Sequence, residues 1–161
     1  MGAELRKHQD MLIIIGTGVI AFGVWSVIKT VLYYALSRDE MLRILKEQGL
    51  EQGYEAGVYV LIALALAFIL GLRIYIGLSA RAEGVGKRRG NGYVVLAAIM
   101  TLVNFGGFVL SVAGAFELEL TLDNIVDLSV TFVVELTSIA TMAELVYSAL
   151  RVRNLRKQIA D

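Results

Sequence analysis

Residues 11–36 read MLIIIGTGVIAFGVWSVIKTVLYYAL, with a single charged side chain, Lys29. A helix built from this run is apolar all round and has no face to turn towards water. At 1.5 Å per residue, about 20 such residues cross a hydrocarbon core of about 30 Å. The stretch is therefore read as a membrane span. Arg6 and Lys7 precede it and Ala35-Leu36-Ser37 ends it in a small-x-small pattern. The apolar run nevertheless far exceeds the roughly 7–15 residues of a signal-peptide core, so an uncleaved span is expected.

Working outward, three more segments meet the same criterion, at about 57–79, 93–116 and 125–149. The whole chain has 161 residues, of which 57% are hydrophobic and 19% charged. Its mean hydropathy is +0.69. Soluble domains carry about 25% charged residues, and here the charges gather between the apolar blocks. Pro is absent, so regular helices are expected. The expected fold is an all-α membrane protein, a single four-transmembrane-helix bundle.

Orientation follows from Lys and Arg in the connections. Arg6 and Lys7, then Arg81, Lys87, Arg88 and Arg89, then Arg151, Arg153, Arg156 and Lys157 fall on one side. Arg38, Arg43 and Lys46 fall on the other. Ten against three puts both termini in the cytoplasm, and a prokaryotic plasma membrane is the expected location. Tyr33, Tyr34, Tyr54 and Tyr59 are expected at the outer boundary, with Tyr93 and Tyr147 at the inner one, as interfacial aromatic belts.

The first loop holds Ser37-Arg38-Asp39-Glu40, a capping box, followed by Met41, Leu42, Ile44 and Leu45 and then by Gly49. A short amphipathic helix on the outer surface is expected there. The second loop, residues 81–92, reads RAEGVGKRRGNG. It lacks the G-x-x-x-x-G-K-[ST] spacing of a phosphate-binding loop and sits between membrane helices, so nucleotide binding is excluded. Anionic lipid headgroups are the expected neighbours of Arg81, Lys87, Arg88 and Arg89.

Ionisable side chains inside spans are expensive and mark functional candidates. They are Lys29 in the first span, Arg73 in the second, and Asp127, Glu135 and Glu144 in the fourth, with Asn104 as the polar amide of the third. On a helical wheel of the fourth span, Asn124, Asp127, Thr131, Glu135, Ser138, Thr141 and Ser148 share one face. Val133, Leu136 and Ile139 lie opposite. Depth along the helices matches Lys29 with Asp127, Asn104 with Glu135, and Arg73 with Glu144, each pair within about 5 Å of one level. One reading makes the stripe the wall of an ion or substrate pathway, with Glu135 as its proton- or cation-binding carboxylate. The other makes it interhelical glue, with Ser and Thr bonding back to their own helices. Small residues recur at Ala63, Ala67 and Gly71 and at Gly107, Ser111 and Ala115, faces that permit close approach within the bundle or in a homo-oligomer.

Several classes drop out. The chain has no Cys, which removes disulfides, thiolate metal sites, a Cys nucleophile and thiol lipidation. His8 is the only His and precedes the first span, so no histidine triad and no H-E-x-x-H zinc site can form in the membrane. With no nucleotide motif, no metal cluster, no cofactor motif and a net charge of zero, neither an enzyme nor a nucleic-acid binder is expected. The surviving expectations are a transporter or channel subunit built around Glu135 and a non-catalytic membrane subunit or scaffold. Their partners would be the bilayer, a second copy or another membrane protein.

Overall fold

The structure is a computed structural model and describes residues 2–36, 54–115 and 122–160, with the side chains at 33, 54–56, 122–127 and 160 left aside. The described residues are helical apart from one turn at 85–91. The helices are α1 (Gly2–Leu36), α2 (Tyr54–Gly84), α3 (Gly92–Ala115) and α4 (Leu122–Ala160). All four are long and apolar enough to cross a membrane, which makes this an integral membrane protein by length and composition. The expected surface helix of the first loop lies outside the described residues.

Three of the helices, α1, α2 and α4, are longer than their apolar blocks. The span expected at 11–36 is part of a helix of 35 residues that takes in Arg6, Lys7 and His8. The span expected at 125–149 is part of a helix of 39 residues that runs through the basic C-terminal segment. Sequences such as RVRNLRKQIA lack Gly and Pro, so nothing stops the helix where the hydropathy falls. Helical extent and apolar extent are separate properties.

The chain forms two compact units, residues 1–19 with 75–161, and residues 20–74. In the first unit all four helices contribute to one core. Leu12, Ile15 and Val19 come from α1, Ile76 and Ala80 from α2, Tyr93, Val94 and Ala97 from α3, and Met142, Leu145, Ala149 and Val152 from α4. The alternating steps of three and four on α1 and α4 are those of helices packed along a narrow seam. The helices of this unit meet antiparallel. A Cβ on Gly16 would come within 2.7 Å of the Gly77 carbonyl oxygen, and one on Gly84 within 2.7 Å of the Gln9 carbonyl oxygen. So α1 and α2 touch backbone to backbone at two levels seven residues apart, which only glycine permits. Arg153 of α4 lies over the Tyr93 ring and Phe132 packs edge-on against Phe108, so α3 and α4 run in opposite directions.

The turn between α2 and α3 is closed by Gly86 at φ 98°, the one positive φ among the described residues. Lys87 N donates to the Ala82 carbonyl at 3.0 Å and Gly86 N to the Glu83 carbonyl at 3.0 Å. These are the two bonds of a Schellman motif, and its left-handed position favours glycine. The motif shortens the glycine-rich connection and makes Glu83 a residue of α2.

In the second unit, Gly23 of α1 lies under Arg73 of α2. A Cβ there would meet Arg73 Cδ at 3.1 Å and Leu70 Cδ1 at 3.4 Å.

Candidate functional site

The stripe on α4 is described from Leu128 onward. Thr131, Glu135 and Ser138 are half-buried while Val133 and Leu136 are exposed. The same face continues through Met142, Leu145, Ala149 and Val152, which are buried in the four-helix core. The protein-facing side of α4 is thus polar along one half and apolar along the other. Glu144 is exposed and lies off this line.

Asn104 and Glu135 sit at one level of the α3–α4 pair. Phe108 and Phe132 meet with ring centroids 5.6 Å apart. In antiparallel helices, one turn back from Phe108 and one turn on from Phe132 lead to Asn104 and Glu135, about 1.5 Å apart in height. The offsets of four and three keep both side chains on the faces that carry the two rings. Pairing by depth does not bring these two atoms into a hydrogen bond. Asn104 Nδ2 and Glu135 Oε2 are both buried, and neither atom has a partner.

Lys29 and Arg73 belong to the second unit. Lys29 is exposed on α1. Arg73 is 8% exposed, and its Nε has no hydrogen-bond partner. The side chain of Asp127 lies outside the described residues. Several threonines bond to their own helices, as the glue reading requires of them. Thr137 Oγ1 donates to the Val133 carbonyl at 2.6 Å, and Thr141 Oγ1 to the Thr137 carbonyl at 2.6 Å. At the glycines of the small-residue faces there is open space, since a Cβ at Gly71 or Gly107 would meet nothing within 4 Å.

The best-formed polar cluster is one that the sequence reading missed. Glu83, 1% exposed, accepts from Tyr93 Oη at 2.6 Å and from Arg153 Nε and Nη2 at 2.9 Å each. Arg153 also donates to Asn91 Oδ1 and to the Gly90 carbonyl. Arg156 Nη2 donates to the Glu83 carbonyl at 2.9 Å. The cluster ties α2, the turn, the start of α3 and the C-terminal part of α4 together. Tyr93 is accordingly 1% exposed, not a member of an interfacial belt as its position suggested, because its hydroxyl is held by a buried carboxylate. His8, read as a tail residue, is buried on α1 against the Tyr147 ring. The available signal for the cluster was a lone acid among the cations of residues 81–92.

Among the described residues no group of three or more acids and histidines could hold a metal ion. No family model, no curated protein and no solved structure matches the chain.

Proposed function

We propose that this protein is a transporter or channel subunit whose proton- or cation-binding carboxylate is Glu135. One observation carries the reading. A carboxylate oxygen and an amide nitrogen, Glu135 Oε2 and Asn104 Nδ2, are buried at one level of neighbouring spans with nothing bonded to either. Unsatisfied polar groups at membrane depth cost several kcal/mol each, by the order of magnitude for transfer into hydrocarbon. Such a pair is kept where a proton, a water or a cation completes it in use. Thr131 and Ser138 flank Glu135 on the same face and extend the polar path, and Asp127 continues that face by helical spacing. The N-in, C-in orientation in a prokaryotic plasma membrane, a homo-oligomeric assembly and a non-enzymatic role belong to the same proposal.

The test is flux. The protein is reconstituted in vesicles, and proton and monovalent-cation flux are measured for the native chain and for Glu135→Gln. The expected outcome is flux in the native chain and its loss in the variant. Equal flux in both overturns the assignment of Glu135.

A second reading, a non-catalytic subunit that docks other helices, is favoured by Thr137 and Thr141. Their hydroxyls are already spent on their own helix, so that part of α4 offers few groups to a passing ion. It predicts no flux in either protein and a membrane partner that stays bound through purification.

A further inference from the structure

Beside the Glu83 cluster, the 85–91 turn and the C-terminal part of α4 line an open pocket of about 580 Å³. This lies within the roughly 300–1,000 Å³ of ordinary small-molecule sites. Its lining includes five cations, Arg88, Arg89, Arg153, Arg156 and Lys157, against one carboxylate, Glu83. That carboxylate is consumed by Arg153 and Tyr93. The charged groups of Arg88, Arg89 and Lys157 have no partner among the described residues. The remaining wall combines Asn91 and Asn154 with Val94, Val95 and Leu150, of which Val95 and Leu150 are 54% and 50% exposed on membrane-spanning helices.

We propose that this pocket binds the headgroup of an anionic phospholipid, with the phosphate held by Arg88, Arg89 and Lys157. Two features select a lipid over a free anion. The cations lie next to exposed apolar side chains on α3 and α4, so the pocket offers charge to a phosphate and hydrocarbon contact to what is esterified to it. Basic pockets between helices at the membrane surface have this combination. The cations are also prearranged. Arg153 bonds to the Gly90 carbonyl and to Asn91, and this fixes the turn that carries Arg88 and Arg89 against α4 before any ligand arrives. The site is narrower than the diffuse attraction expected of the loop from its sequence. Arg81 packs its stem at Gly16 of α1, and neither it nor Lys87 lines the pocket.

The test compares lipid retention. The purified full chain is equilibrated with micelles containing phosphatidylcholine and phosphatidylglycerol in equal amounts, and bound lipid is counted by native mass spectrometry. Three proteins are compared: the native chain, the pocket variant R88Q/R89Q/K157Q, and R6Q/K7Q/K87Q, which removes as many charges elsewhere. At a few-fold per cation near an anionic surface, preference for phosphatidylglycerol falls about ten-fold or more in the pocket variant and persists in the other. None of the three substituted side chains belongs to the Glu83 cluster, so the pocket variant melts like the native chain in phosphatidylcholine. If it does not melt normally, the single change Lys157→Gln carries the comparison, with a several-fold loss expected. Undiminished preference in the pocket variants, or an equal loss in R6Q/K7Q/K87Q, overturns the proposal. So does displacement of phosphatidylglycerol by millimolar inorganic phosphate, which would mark a soluble anion as the occupant.

Discussion

On α3 and α4 two kinds of packing follow one another along the same pair of helices. Near the 85–91 turn, Tyr93, Val94, Ala97, Met142, Leu145, Ala149 and Val152 are buried. Farther on, from 98 to 115 and from 128 to 141, no described side chain is buried. Hydropathy does not separate the two stretches, since Leu102, Val103, Leu110 and Val133 are as apolar as anything in the core and are exposed. Lipid is as good a solvent for such side chains as a protein interior, so apolar character alone does not draw helices together. What distinguishes the packed end is glycine contact and a polar clamp, namely Gly16 on Gly77, Gly84 on Gln9, and Glu83 with Tyr93 and Arg153. Stability concentrates where the helices have a specific reason to meet, and the candidate site lies where they do not.

The clamp gives the sharpest way to break this contrast. Arg153→Ala leaves the Glu83 carboxylate buried with only Tyr93 for a partner, and losing one member of a buried ion pair costs about 3–5 kcal/mol. Thermal unfolding in detergent should show a large fall in the midpoint. Glu83→Gln added to Arg153→Ala should recover part of it, since an amide needs no counter-charge. Arg151→Ala removes an ion pair with Glu4 that is open to solvent on both sides, and it should leave the midpoint where it was. Equal midpoints for Arg153→Ala and the native chain would remove the clamp from the account of stability.

Glycine substitutions test the same contrast with opposite signs. At Gly16 a new Cβ would sit 2.7 Å from a backbone oxygen, and forcing the helices apart costs about 1–3 kcal/mol as overpacking does. At Gly107 the space is open, and Ala in a helix is better than Gly by roughly 0.5–1 kcal/mol. Gly16→Ala should lower the melting point and Gly107→Ala should hold or raise it. The reverse order would mean that α3 packs closely through its small-residue face.

Gly86 gives a smaller effect confined to the turn. Its φ of 98° makes Gly86→Ala unfavourable by about 1–2 kcal/mol, the cost of a left-handed conformation for a residue with a Cβ. Backbone amide exchange should quicken at Lys87, whose N–H closes the motif, and stay unchanged in α4 beyond the clamp. Unchanged protection at Lys87 would show that the motif does not depend on glycine.

How much of this was legible follows from what each signal measures. Hydropathy reports compatibility with lipid, and it found all four spans from the runs at 11–36, 57–79, 93–116 and 125–149. It could not mark where the helices end, because His8, Val152 and Leu155 continue the helical pattern into polar sequence. Wheel geometry identified the face of Glu135 and Ser138, because 3.6 residues per turn is a property of the backbone alone. Depth counting likewise put Asn104 level with Glu135, but it could not say whether they bond, which depends on side-chain reach. Glu83 counts as a loop charge on hydropathy alone, because α2 runs to Gly84, about five residues past its apolar block. Gly16 and Gly84 carry no local signal, because close approach depends on the partner helix, while Gly107 fits the four-residue pattern with open space around it.

The last contrast concerns Glu135 itself and has the smallest expected effect on stability. If Glu135 and Asn104 were glue, replacing either by an apolar residue of similar size would remove a favourable contact and lower the melting point. Neither Glu135 Oε2 nor Asn104 Nδ2 has a partner to lose. Replacing an unsatisfied buried polar group with an apolar one of the same shape is nearly neutral or stabilising. Glu135→Leu and Asn104→Leu should therefore leave the melting point unchanged or raise it by an amount equivalent to about 1 kcal/mol. Because the two groups are not coupled by a bond, the double substitution should equal the sum of the singles. A loss of stability in both singles with less than additive loss in the double would reveal a bond between them and return the pair to the glue reading. Preserved stability together with abolished flux would instead separate the fold from the work done on it, with the clamp holding the helices and Glu135 free to take up its ligand.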